Sequence, residues 1–245
     1  MIRRAFLKAG AGAAAAGLLT GRAAASTKGE AAAFHAARRF LDTRFGRIAY
    51  VEKGEGPAAL FLHGWPLNGF QWRGAMARLS DQRRCIAADF MGLGYTDVAA
   101  DMDLSPVNQC EMIIAAMNAL SIDRADLVSN DSATTIAQLL AARHPARVRS
   151  MLLTNGDVHT NSPPEPLKAT IEEARRGLLV ERLEKQVTDP RIAQTEEGLG
   201  IVYTDPAILT PELVDVYLRP LISTPKRRAQ CQQYGVAFEP NPLPA

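Results

Sequence analysis

"LVSNDSATTIAQLLAARHP", residues 127–145, decides how this chain folds. An apolar start passes through Ser-Asn-Asp-Ser into a stretch with helical character, which Pro145 ends because its ring and missing N–H cannot continue a helix. A strand that becomes a helix over so few residues must turn tightly, and such a strained turn needs small residues two before and two after its apex. With Asp131 at the apex those positions hold Ser129 and Ala133; with Ser132 there they would hold the bulkier Asn130 and Thr134. The spacing therefore places Asp131 at the apex.

Working outward, the chain alternates between two periods. "RIAYVEKG" (47–54), "AALFLHG" (58–64), "CIAADF" (85–90), "ADLVS" (125–129) and "VRSMLLTN" (148–155) read as strands, several of them continuous apolar runs of the kind buried on both faces. Between them "FQWRGAMARLS" (70–80), "SPVNQCEMIIAAMNALSI" (105–122) and "ATTIAQLLAARH" (133–144) read as helices, the second with Ser105 as N-cap and Pro106 in the first turn. Strand and helix alternating through short connections predict an α/β fold with a doubly wound, mostly parallel sheet. After Asp157 the rhythm changes to amphipathic helices, with Thr210 and Pro211 opening the last clear one, and no buried strand is expected between residues 162 and 234. That stretch reads as a helical cap.

The ends and the composition bound the rest. The first 25 residues carry Arg3-Arg4, a weakly apolar Ala/Gly run and Ala23-Ala24-Ala25, the layout of a cleavable export signal of the twin-arginine type, which implies a periplasmic protein. The net charge is +2; loss of Arg3, Arg4, Lys8 and Arg22 would leave +2 − 4 = −2. Three widely spaced cysteines (Cys85, Cys110, Cys231) form neither a disulfide framework nor a zinc pattern. No run of like charge or aromatic-basic stripe suggests nucleic acid, so the expected partner is a small molecule, with no metal, no cofactor and no membrane beyond export.

Three loops fall at the carboxyl ends of expected strands, where ligands bind in open α/β sheets: "LHGWP" (62–66), "DFMGLGYTD" (89–97) and "SNDSA" (129–133). A carboxylate at the apex of the third can attack an sp³ carbon bearing a halide, or an epoxide carbon, to give an alkyl-enzyme ester. The following helix directs free N–H groups and its positive end at the same point, an arrangement expected to help keep Asp131 ionised.

"HGWPLNGFQWR", "DFMGLGYTD", "SNDSATTIAQ" and "RHPARVRSMLLTN" together resemble the α/β-hydrolase superfamily, over residues 40 to 155. An aspartate at the turn resembles its haloalkane dehalogenase and epoxide hydrolase branch, and the helical stretch resembles that branch's cap. The resemblance implies Asp131 as nucleophile, the N–H groups of Trp65 and Ser132 as oxyanion or leaving-group donors, and Asp157 as the acid that orients a catalytic histidine. It implies a structural role for His63 and substrate contacts for the cap tyrosines, with Tyr203, Tyr217 and Tyr234 as candidates. Two departures stand out. Ser132 occupies the place where haloalkane dehalogenases usually carry tryptophan, and none of His35, His63, His144 and His159 lies where the branch keeps its water-activating histidine. The organisation expected is a signal at 1–25, a hydrolase core at 26–157 lacking its last strands, a cap at 158–235, and a connector at 236–245. The activity expected is hydrolysis of a small haloalkane or epoxide, impaired for want of the histidine. Open alternatives are a non-catalytic relative that binds a small apolar molecule and a serine esterase using Ser132.

Overall fold

The computed structural model describes residues 27–243, so the expected signal at 1–25 lies outside the described residues. In chain order the first elements are α1 (Thr27–Ala36), β1 (Arg39–Thr43), β2 (Gly46–Lys53), β3 (Ala58–Leu62), α2 (Arg73–Leu79), β4 (Arg84–Ala88), α3 (Pro106–Ala119), β5 (Ala125–Asn130), α4 (Ala133–Arg143) and β6 (Val148–Thr154). The strands form one six-stranded sheet in the order β1-β2-β4-β3-β5-β6. β1 and β4 run antiparallel to β2, while β4, β3, β5 and β6 run parallel to one another. The sheet is thus α/β and parallel through its centre and far side, as expected.

β3 shows why the apolar runs are continuous. Its side chains alternate: Leu60 and Leu62 join Met112, Ile113, Ile136 and Leu140 of α3 and α4, while Ala59 and Phe61 join Met76 of α2 on the opposite face. Both faces are covered, so every position of β3 is buried. Burying Phe61 alone is worth about 2–3 kcal/mol. β6 differs. It is the edge strand of the described sheet, with Met151, Leu152 and Leu153 at 41%, 57% and 39% exposure.

Two elements escaped the sequence reading. α1 and β1 precede the first strong apolar alternation, and β1 is a half-exposed antiparallel edge. One expected helix is also shorter than its pattern. Residues Gly69–Trp72 form a 3-10 turn capped by the Asn68 side chain, and only Arg73–Leu79 is α-helix.

Beyond β6 lie α5 (Glu165–Arg175), α6 (Leu179–Thr188), α7 (Pro190–Ala193), α8 (Pro211–Ile222) and α9 (Pro225–Val236), with short 3-10 turns at Leu199–Val202 and Pro206–Ile208. Thr210 and Thr224 cap α8 and α9 by accepting the N–H groups of Leu213 and Arg227. The cap is joined to the core through buried polar groups. The Arg227 guanidinium donates to the carbonyls of Gly94 at 2.8 Å and Thr96 at 3.0 Å on the core side, and to Pro220 at 3.2 Å within the cap. Pro220 lies inside α8 and has no N–H to give the Val216 carbonyl one turn earlier. Asn68 supplies the missing donor, its Nδ2 reaching Val216 O at 2.9 Å, while its Oδ1 accepts from Phe70 N at 3.1 Å. The cap helix therefore leaves one carbonyl open, and a core loop closes it. The tail continues this packing: Phe238 and Leu243 are buried, and Asn241 donates to the carbonyl of His159.

Asn68→Ala strands both partners, and we expect it to cost about 2 kcal/mol in urea unfolding. Pro220→Ala restores the helical donor for Val216, so in that background the cost of Asn68→Ala is expected to fall by about 1 kcal/mol; equal costs in both backgrounds would disprove the coupling.

Candidate active site

The tight turn predicted from the sequence is present, and its apex is Asp131. Its φ is +59°, in the left-handed region, whereas Ser132 has φ −53° and already belongs to the approach to α4. Ser129 and Ala133, the two small flanking residues, are fully buried. The Asp131 N–H donates to Thr154 O of β6 at 3.1 Å, and its own carbonyl accepts the Thr134 N–H at 2.9 Å. The backbone rather than the side chain thus closes the turn, and the carboxylate is left to face elsewhere.

It faces the loop after β3. A Cβ added to Gly64 would stand 2.7 Å from the Cβ of Asp131, so only glycine permits this approach. The next residue donates: Trp65 N reaches Asp131 Oδ1 at 3.0 Å. His63 supports the loop from beneath, as expected. It is fully buried, its Nδ1 paired with Gly64 O at 3.0 Å and its Nε2 with Phe90 N at 3.1 Å. An N–H donor can be satisfied only at the acceptor nitrogen, so His63 is the neutral Nδ1–H tautomer, and burial holds its pKa below the ordinary value. Asp89 fixes the loop after β4, accepting the N–H groups of Gly69 and Tyr95 at 2.8 Å each.

The helix end helps Asp131 ionise as expected, but burial works against it. Burial pushes the Asp131 carboxyl above the usual carboxylate range, and the opposing N–H groups of Ser132 and Trp65 offset this only in part. Desolvation therefore outweighs the helix end. Asp157 is also raised, first by burial, with the nearby Asp131 charge adding to it, while Ser162 Oγ donates to its Oδ2 at 3.0 Å.

A pocket of about 480 Å³ opens over Asp131 between the core loops and the cap. It collects Asp131 and Trp65 from the core and Tyr203 and Tyr217 from the cap. Burial raises both phenols, so they stay protonated and can donate. The Trp65 indole Nε1 is buried and has no hydrogen-bond partner. Tyr234 is different: it does not line the pocket, and its buried phenol lies beside the Ser132 hydroxyl. Of the three cap tyrosines named from the sequence, it is the one placed away from the pocket. Asp157 likewise stands near Asp131 without lining the pocket.

The histidines other than His63 are engaged elsewhere: His35 with Arg38, His144 with Glu111 at 3.0 Å, and His159 with Leu243 O at 3.4 Å. Cys110, Glu111 and His144 bring ligand-type atoms within 4.8 Å of one another, but Glu111 is occupied by His144 and Arg143, and burial pushes the Cys110 thiol up to about 12.

The sequence reading missed Gln71, Arg73 and Asn130, which also line the pocket. Gln71 accepts the Gly64 N–H at 2.9 Å and donates to Asn130 Oδ1 at 2.8 Å, bracing the two loops against each other. Gln71 and Arg73 stand on either side of Trp72 within "HGWPLNGFQWR" (63–73), and Asn130 directly precedes Asp131.

The chain matches the model of the alpha/beta hydrolase fold over residues 57–187, which is 131 of its 245 residues. It is 31% identical over 117 residues to haloalkane dehalogenase 2 of Mycobacterium bovis, covering 48% of this chain and 41% of that protein. It is 39% identical over 114 residues to 2-hydroxymuconate semialdehyde hydrolase of Pseudomonas putida, covering 46% of this chain and 40% of that one. The alignments thus span less than half the length of these curated relatives. Among solved structures, the epoxide hydrolase CorEH aligns with a TM-score of 0.67 at 20% identity over 82% of this chain and 74% of its own, a likeness of fold that includes the helices over the sheet. With the turn at Asp131, the sheet order and the family match in agreement, the chain belongs to the alpha/beta hydrolase fold family.

Proposed function

We propose that Asp131 is the nucleophile of a hydrolase that forms an alkyl ester with a small haloalkane. The observation that carries this reading is the placement of its carboxylate: raised on a left-handed turn, held by Trp65 N–H at 3.0 Å, and facing a pocket roofed by the cap. The similarity to a haloalkane dehalogenase over the core motifs supports it.

In the reaction, one Asp131 oxygen forms a bond to the substrate carbon as the carbon–halogen bond breaks, and the halide leaves with the bonding pair. Trp65 lines the pocket, and its buried, unpartnered Nε1–H would have to turn into it to serve that halide, the part that Ser132 cannot fill. The other carboxylate oxygen becomes the ester carbonyl, and the Trp65 and Ser132 N–H groups beside the carboxylate would serve the oxyanion when water attacks. Release needs a base for that water. Among the four histidines, none offers a free ring nitrogen to the pocket, and loss of such a base typically costs 10²–10⁴-fold. Asp157 remains the candidate to orient a base. The placement of Tyr203 and Tyr217 on the pocket wall favours a second reading, in which an epoxide oxygen is the leaving group and the phenols donate to it. A serine esterase is disfavoured, since Ser132 is buried off the pocket behind the apex. We further propose that the enzyme acts after export through its Arg3-Arg4 leader; N-terminal sequencing of protein from a periplasmic fraction should begin at Ser26, and an intact Met1 there would reject this.

Incubation with 1-bromobutane is expected to add one butyl group to the chain, read by intact mass and mapped to Asp131. Asp131→Asn should abolish the adduct and Ser132→Ala should retain it; an adduct on Ser132, or none at all, would sink the proposal. The labelling rate should also depend on pH. Only the ionised carboxylate attacks, and burial favours its protonated form, so the rate should fall with decreasing pH through a midpoint above the ordinary aspartate value of about 3.9.

A further inference from the structure

One charged side chain in the pocket has no part in ester formation at Asp131. Arg73, the first residue of α2, lines the same pocket as Asp131 and stands beside the Tyr217 phenol. Its stem is packed, with the guanidinium 4.3 Å from the centre of the Phe70 ring and Nη1 donating to Phe70 O at 3.3 Å. Its Nε meets Glu30 Oε2 of α1 at 3.1 Å, a carboxylate that does not line the pocket and is half exposed. A cation on one wall and an ionised Asp131 at the floor give the pocket a direction. A neutral haloalkane makes no use of this. A haloalkanoate does: its carboxylate is repelled from Asp131 and attracted to the guanidinium fork, which places its carbon–halogen end at the nucleophile.

We infer that the pocket selects substrates carrying a carboxylate, with Arg73, assisted by the Tyr217 hydroxyl, as the specificity-determining residue for that group. Glu30 then acts as an internal competitor, a carboxylate that already occupies one edge of the same guanidinium from the outer side. The inference rests on the Asp131 pocket being the substrate site, and it extends the proposed function by naming the substrate class. The reaction itself is unchanged: an Asp131 oxygen bonds to the halogen-bearing carbon, the halide leaves with its electron pair, and the carboxylate stays ionised throughout.

Binding tests this without requiring turnover. Hexanoate and 1-hexanol are titrated into the full chain and followed by calorimetry. Hexanoate is expected to bind about tenfold or more tightly than hexanol, and Arg73→Gln should remove most of that difference. Glu30→Gln should strengthen hexanoate binding several-fold while leaving hexanol unchanged. A purely structural ion pair predicts the opposite for Glu30→Gln, which would then weaken both ligands or neither. Equal binding of the two ligands, a preference that survives Arg73→Gln, or no binding of either ligand overturns the inference. Mass-detected labelling by 6-bromohexanoate and 1-bromohexane separates this failure from that of the underlying reading. Labelling of Asp131 by both at equal rates, unaffected by Arg73→Gln, keeps the nucleophile and rejects the carboxylate. Arg73-dependent hexanoate binding without any label on Asp131 keeps the carboxylate and rejects the nucleophile.

Discussion

The close approach of Asp131 to Gly64 is the constraint around which the rest of this structure is arranged. The strand β5 must stop, reverse and start α4 within a few residues, and a left-handed aspartate makes that possible at a cost in backbone strain of about 1–3 kcal/mol. The conformation persists because its neighbours over-determine it. Thr154 of β6 fixes the N–H, Thr134 closes the turn behind, and the loop after β3 comes so close that residue 64 has no room for a side chain. Gly156 makes the same kind of contact from the other flank, where an added Cβ would fall 1.9 Å from Thr134 Oγ1. Strands β3, β5 and β6 are adjacent in the sheet, so three consecutive strand ends converge on one carboxylate.

That convergence has an electrostatic consequence. Bringing three loops and a cap over Asp131 removes it from water, and the N–H groups that the same loops supply return only part of the lost solvation. The carboxyl is left less readily ionised than an exposed aspartate. A carboxylate stripped of water is also a less encumbered nucleophile, which is the usual trade at sites where a weakly basic group must attack carbon. The same burial raises the Tyr203 and Tyr217 phenols further above neutral pH, where they are hydroxyl donors in any case.

The cap stays in place through polar groups that neither half could satisfy alone. Pro220 breaks the α8 hydrogen-bond ladder, and the carbonyl it leaves is met by Asn68 from the loop that also carries Trp65. Arg227 is buried and donates to the loop 94–96, whose own shape is held by Asp89. Buried donors and acceptors without partners are costly, so these exchanges fix the cap's register over the pocket more sharply than apolar packing would.

Much of this was legible in local patterns. The strand–helix alternation, the helical cap, the N-caps Ser105 and Thr210, and the apex at Asp131 rather than Ser132 all follow from short-range sterics and periodicity, which depend on residues close in sequence. What the sequence could not supply was anything set by residues far apart. β1 carries no apolar alternation of its own and exists because β2 pairs with it. Tyr203, after the turn Leu199–Val202, and Tyr217 of α8 reach the pocket while Tyr234 of α9 does not, a distinction set by how these elements pack on the core. Gln71 and Arg73 take their places through Asn130 and Glu30, partners far away in the chain. The sign of the Asp131 shift also escaped, because a helix end can be read from neighbouring residues, whereas desolvation is the sum of everything that packs around a group. The sequence by itself determined the turn, its apex and the order of the elements; the tertiary structure alone decided which side chains share water-excluded space with that apex, since burial and charge act through distance in space and not along the chain.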